Sequence, residues 1–139
     1  MKRLMALDYG ERRIGVALSD PEQLITFPFS TIDSRKTPDV VKEIVRIIKD
    51  QDVGVLIVGN PLNEDGTDSK KSKEIKKFIT MLSNHISIPI NLWDEYYTTK
   101  SAIRLLNQAN RRLKKNRDKV DQLAASFLLK DYLEHHIEQ

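Results

Sequence analysis

The chain has no cysteine, which excludes disulfides and thiolate metal sites and agrees with a reducing cytoplasm. Aromatic residues are scarce at 6%, so no surface for reading bases by stacking is visible. No apolar run approaches the length of a membrane span. The basic start Lys2-Arg3 leads into an apolar run too short for a signal peptide, with no small-residue cleavage site. Repeats, low-complexity tracts and long linkers are also missing. The 139 residues therefore read as one domain, 1–139, long enough to bury a real core. A cytoplasmic protein with no membrane partner is expected.

What is present is organised around Leu4-Met5-Ala6-Leu7-Asp8-Tyr9-Gly10. An apolar run of strand length fits a strand covered on both faces. Alternation sends Leu4, Ala6 and Asp8 one way and Met5, Leu7 and Tyr9 the other. Asp8 thus continues a line of core residues and falls at the strand's C-terminal end, where open α/β sheets carry their sites. An acid there needs a positive partner.

Glu11-Arg12-Arg13 leads through a hairpin into a second strand, 14–20. Gly15 inside it implies close approach of another backbone. Residues 24–32 form a third strand, at an edge because Pro28 cannot donate to a ladder. Thr37-Pro38-Asp39 reads as a helix start, with Thr37 as cap. Residues 53–58 form a buried parallel strand, followed by a turn-rich loop and a helix with Ile75, Phe78, Ile79 and Leu82 on one face. Residues 86–93 form the last strand, with Asp94 and Glu95 just beyond it. A third helix starts at Thr98 or Thr99. A last one starts near Asp118, its buried stripe Val120, Leu123, Ala124, Phe127 and Leu128. The order βββαβαβαα predicts an α/β fold: a mixed five-stranded sheet with helices on both faces.

Net charge is only +3, with pI about 9.1, and does not by itself call for a nucleic-acid partner. Its distribution says more. Arg111, Arg112, Lys114, Lys115, Arg117 and Lys119 share a stretch whose one acid is Asp118. So one-sided a loop suits phosphate contacts, although a solvated surface explains it equally. The lysines at 70, 71, 73, 76 and 77 fit a solvated surface better.

Three acids fall where such a fold can gather them: Asp8, Glu95 and Asp121. Clustered carboxylates repel unless a divalent cation neutralises them, which makes the missing partner a metal rather than an arginine. Oxygen ligands without histidine or cysteine suit Mg²⁺ or Mn²⁺. Two such ions about 4 Å apart can activate a water and stabilise the leaving oxygen of a phosphodiester. Each acid also has a plainer role. Asp8 could stabilise its turn, Asp94 and Glu95 could be loop acids, and Asp118 could be an N-cap with Asp121 in the first turn.

Asp8-Tyr9-Gly10, Arg13-Ile14-Gly15-Val16-Ala17, Ser19-Asp20, the loop Gly59-Asn60-Pro61-Leu62-Asn63-Glu64-Asp65-Gly66, Asp94-Glu95 with Thr98-Thr99 and Ala102, and Val120-Asp121 with Ala124-Ala125 together resemble the YqgF/RuvX family. The resemblance covers nearly the whole chain. It implies an RNase H-like fold related to RuvC-type Holliday junction resolvases. It also implies a nuclease maturing the 5′ end of precursor 16S rRNA, or a junction resolvase. The family's metal-binding acids map onto Asp8, Glu95 and Asp121. Two positions depart from the family pattern. Tyr96 stands where an arginine usually follows the Asp-Glu pair; if that arginine contacts phosphate, either Arg13 or a basic-loop residue takes its place or binding is weaker. Asn60 replaces an apolar residue, and little consequence is expected.

The expected activity is metal-dependent cleavage of structured nucleic acid. Asp8, Glu95 and Asp121 would hold Mg²⁺ or Mn²⁺; Arg13, Arg111, Arg112, Lys114, Lys115 and Arg117 would hold the backbone. Structured RNA is the favoured partner, within a ribosomal precursor particle, and branched DNA is the alternative. A monomer or weak homodimer is expected. Two other classes compete. An Asp-x-Gly strand end also opens the sugar-kinase and actin-like ATPases, but those need a duplicated domain to enclose ATP. A non-catalytic nucleic-acid-binding module would not need the intact acid set.

Overall fold

The computed structural model describes residues 2–61, 65, 67–94, 108, 111 and 117–136. One sheet contains β1 (Arg3–Asp8), β2 (Arg13–Ser19), β3 (Thr26–Asp33), β4 (Val53–Asn60) and β5 (Ile90–Asp94). Helices α1 (Val40–Asp50) and α2 (Lys70–Ser83) flank β4 in sequence, and α3 (Arg117–His136) follows β5. The spatial order is β3-β2-β1-β4-β5, with β1 in the middle. β2 runs antiparallel to β1 and β3, whereas β4 is parallel to β1 and β5. This is the mixed sheet that the element order predicts. The expected helix after Thr98 lies outside the described residues, save Gln108, which is helical.

β1 is buried on both faces, as its unbroken apolar run requires. Met5 and Leu7 join Val16, Leu18, Leu56 and Val58 beneath Ile44, Ile47, Ile75, Phe78 and Leu82 of α1 and α2. Leu4 and Ala6 join Ala17 and Ile57 beneath Ala125, Leu128, Leu129, Tyr132 and Leu133 of α3. Helices therefore cover both faces.

Several boundaries move, each for a local reason. Asp39, not Thr37, caps α1, its side chain accepting the Lys42 N–H at 3.0 Å. β5 starts after Pro89, at Ile90, and includes Asp94. β3 starts at Thr26 because the Asp20 carboxylate captures the Leu24 and Ile25 N–H groups at 2.7 and 2.8 Å, holding both in a turn. It is an edge strand, as Pro28 requires. The lysines at 70–77 lie along the first turns of α2, its exposed ones facing solvent.

The buried stripe of α3 also differs. Val120 and Leu128 are buried as expected, but Leu123, Ala124 and Phe127 are only half-buried. Ala125, Leu129, Tyr132 and Leu133 complete the stripe instead. The helix is apolar around much of its girth, so two overlapping i, i+3, i+4 stripes can be drawn on it. Docking on the small residues Ala6 and Ala17 selects one of them. Asp118 lies in the first turn rather than at the cap.

Candidate metal and nucleic-acid site

Because β1, β4 and β5 are parallel, Asp8, Asn60 and Asp94 all end at one edge of the sheet. β2 runs the other way, so its first residue, Arg13, arrives at that same edge. Asp8 pairs with Gly15 and Ala6 with Ala17. Alternation then places Asp8, Arg13 and Gly15 on the face that α3 covers.

The helix meets the sheet at Gly15. A Cβ there would lie 1.9 Å from the Asp121 carbonyl oxygen and 2.4 Å from its carbonyl carbon. The close backbone approach implied by a glycine inside a strand is thus the main chain of α3. Thr31, opposite Gly15 on β3, donates its hydroxyl to the Asp118 carbonyl oxygen at 2.5 Å. These two contacts seat the first turn of α3 over β2 and β3, and Asp121 stands above the residue paired with Asp8.

Asp121 has an arginine partner that spacing arguments did not anticipate. Arg13 Nε donates to Asp121 Oδ2 at 2.8 Å, with both side chains about three-quarters buried (25% and 23% exposed). The residues lie 108 apart in sequence, and no local pattern signals the pair. Asp8 is half-buried beside them. The donor chemistry fits a hard divalent cation, being two carboxylates on one face at the end of the central strand. Among the described residues no group of three or more acids or histidines converges. Glu95, the third expected ligand, lies outside them.

Asp94 points away from Asp8. It accepts the Asn60 amide N–H at 3.0 Å, and Asn60 Oδ1 in turn accepts the Ser72 hydroxyl of α2. Asn60 is 5% exposed and Ser72 fully buried. The polar residue at position 60 therefore has a definite consequence, contrary to expectation: it ties the ends of β4 and β5 to α2. On the opposite face Trp93 Nε1 donates to the buried carboxylate of Asp131 at 2.9 Å. Both sides of the strand that leads into Glu95 are thus anchored. Neither anchor is visible in sequence, because each joins distant elements.

Tyr9, just past Asp8, packs its ring on Phe78 with centroids 4.6 Å apart. Burial, then the charges of Glu74 and Glu11, raise its phenol above the ordinary value, so it stays neutral at physiological pH. Of the expected phosphate-contacting residues, Arg111 is exposed but helical rather than in a loop, and Arg117, with Lys119, belongs to the start of α3 rather than to the expected basic loop. Arg112, Lys114 and Lys115 lie outside the described residues, as does Tyr96. The structure thus brings Asp8, Arg13 and Asp121 together.

A family profile described as "RuvX: Holliday junction resolvase" matches residues 2–135. The chain belongs to the RuvX family. A relative from Roseiflexus sp. is 39% identical over 132 residues, covering 95% of this chain and 94% of its own. One from Pelagibacter ubique is 37% identical over 127 residues, covering 91% and 84%. Both bear the name "Putative pre-16S rRNA nuclease". Among solved structures, Thermus thermophilus RuvC in complex with a Holliday junction substrate superposes with TM-score 0.60 at 8% identity, covering 96% of each chain. Fowlpox virus resolvase with junction DNA gives 0.59 at 15% identity, covering 97% and 99%. The RuvX chain therefore has the RNase H-like fold of the RuvC-type resolvases. Among the described residues no helix is long and apolar enough to cross a membrane.

Proposed function

We propose that this RuvX protein is a cytoplasmic, metal-dependent endonuclease that acts on structured nucleic acid, maturing the 5′ end of precursor 16S rRNA. The observation that carries this reading is the seating of Asp121 on Gly15, the residue paired with Asp8. It puts two carboxylates from opposite ends of the chain on one face of one sheet edge. The names of the curated relatives support the substrate.

Asp8, Asp121 and Glu95 would hold Mg²⁺ or Mn²⁺, which supplies the charge that activates a water and stabilises the leaving oxygen. Asp8 and Asp121 contribute oxygen ligands from a strand end and from the second turn of a helix seated on the sheet, so little reorganisation is needed. Arg13 and the basic residues Arg111, Arg112, Lys114, Lys115 and Arg117 would hold the phosphate backbone, fixing position rather than sequence. Asn60 and Asp131 keep the end of β5 in place from its two faces.

A second reading, resolution of branched DNA, is supported by the family description and by the junction-bound structures that share the fold. One experiment separates them. Wild type and Asp121→Asn are incubated with precursor 16S rRNA and with a DNA four-way junction, each with Mg²⁺ and with Mn²⁺. The reading expects cleavage of the RNA precursor by wild type only. Selective cleavage of the junction would favour the second reading. Cleavage of neither, or equal cleavage by Asp121→Asn, would defeat the assignment of the site.

A further inference from the structure

We infer that Arg13 is an exchangeable counter-ion: it neutralises Asp121 in the metal-free protein and is released to a substrate phosphate when a divalent cation takes that carboxylate. The inference rests on the metal-site reading above and extends it to the order of events.

Three observations carry it. Arg13 donates to Asp121 through one nitrogen, Nε, at 2.8 Å, and among the described residues no second hydrogen bond joins the two side chains. A single partly exposed contact is a modest attraction, weaker than a two-pronged fork. A divalent ion held by several carboxylates can outcompete it. Second, both side chains keep about a quarter of their surface open to solvent, so a cation can reach the carboxylate and the guanidinium can swing out. Third, Arg13 is the first residue of β2, at the turn leaving the sheet edge, whereas Asp121 is clamped through its main chain on Gly15. The carboxylate is fixed and the arginine is the partner able to leave. A freed guanidinium beside a filled metal site suits a phosphate oxygen.

Arg13 thereby couples the two ligands. Metal loading raises affinity for the backbone, and the ion pair offsets part of the repulsion among the acids before loading.

The test is a double-mutant cycle of Arg13→Gln and Asp121→Asn, read as urea midpoints with and without saturating Mn²⁺. Mn²⁺ affinity is measured by calorimetry on the same proteins. Exchange predicts coupling between the two positions without metal and none with Mn²⁺. It also predicts Mn²⁺ binding roughly two- to five-fold tighter in Arg13→Gln, the fold-change equivalent to releasing one partly exposed ion pair. Coupling that persists at saturating Mn²⁺, with unchanged Mn²⁺ affinity in Arg13→Gln, overturns the exchange and makes the pair a fixed strut, while the metal site stands. Mn²⁺ affinity that Asp121→Asn leaves unchanged overturns the metal site itself and the exchange with it. A variant too unstable for urea titration is replaced by Arg13→Lys, which keeps the charge. Exchange then predicts Mn²⁺ affinity near wild type for Lys and tighter for Gln, and equal affinity in both refutes it.

Discussion

Replacing Gly15 with alanine should unseat α3. The new Cβ would lie 1.9 Å from the Asp121 carbonyl oxygen. An ordinary carbon–oxygen contact is about 3.3 Å, so the helix must retreat by roughly 1.4 Å. Neither partner has a rotamer to change, because the Cβ is fixed to the β2 backbone and the group it meets is main chain. The retreat opens gaps over Ala6, Ala17 and Ile57, where Leu128 and Leu129 now pack. A gap of 0.5–1 Å already forfeits about a quarter to a half of each contact's attraction. Overpacking alone typically costs about 1–3 kcal/mol, and the lost packing adds to it. The entropic gain from alanine offsets only about 0.4–1 kcal/mol. A net loss of about 3 kcal/mol follows, or a fall in Tm of roughly 10 °C for a chain of this size. Calorimetry of Gly15→Ala beside Gly54→Ala measures it. At Gly54 the nearest atom to a new Cβ is the Lys2 Cβ, at 2.8 Å, so it is the exposed Lys2, ahead of β1, that must shift rather than a packed helix. Gly54→Ala should cost less than Gly15→Ala, about 1 kcal/mol, the low end of an overpacking penalty. A Gly15→Ala Tm within about 3 °C of wild type would refute the close seating. Equal losses at both glycines would show a general cost of strand alanines rather than a helix clash.

The two described acids should respond oppositely to neutralisation. Asp121→Asn removes the Arg13 partner and should lower metal-free stability by about 0.2–1 kcal/mol, whereas Asp8→Asn should hold or raise it by relieving repulsion; both should abolish cleavage. Urea titrations without metal check the signs, and a loss in Asp8→Asn as large as in Asp121→Asn contradicts them. Asn60→Leu deprives the buried Ser72 hydroxyl of its acceptor and Asp94 of a donor, at a cost of about 1–3 kcal/mol, measurable by the same titration. The Asp20 carboxylate is held below its ordinary value by the Ile25 N–H and then by other main-chain donors including Leu24. Its contribution is therefore present above the unfolded pKa near 3.9 and is lost as pH falls through the lower folded value. Wild type should lose more stability on acidification through that window than Asp20→Asn, and parallel acid titrations by circular dichroism would expose an error.

The first strand was legible from residues alone. Its unbroken apolar run demanded cover on both faces, and Asp8 and Tyr9 fell on opposite faces as alternation requires. Pro28 marked the edge strand and Gly15 marked a backbone contact, because each residue type permits little else there. These are local rules, and the sequence by itself determined the order of the described strands and helices, the mixed sheet and the position of Asp8 at a strand end. What touches what was decided only in three dimensions. The stripe that α3 buries followed from the small residues it met, since its own apolar pattern allowed two. The Arg13–Asp121 pair and the Asn60 bridge to Ser72 and Asp94 join residues that no short-range pattern connects. Periodicity reports which face a residue occupies, and only packing brings two distant faces together at one edge.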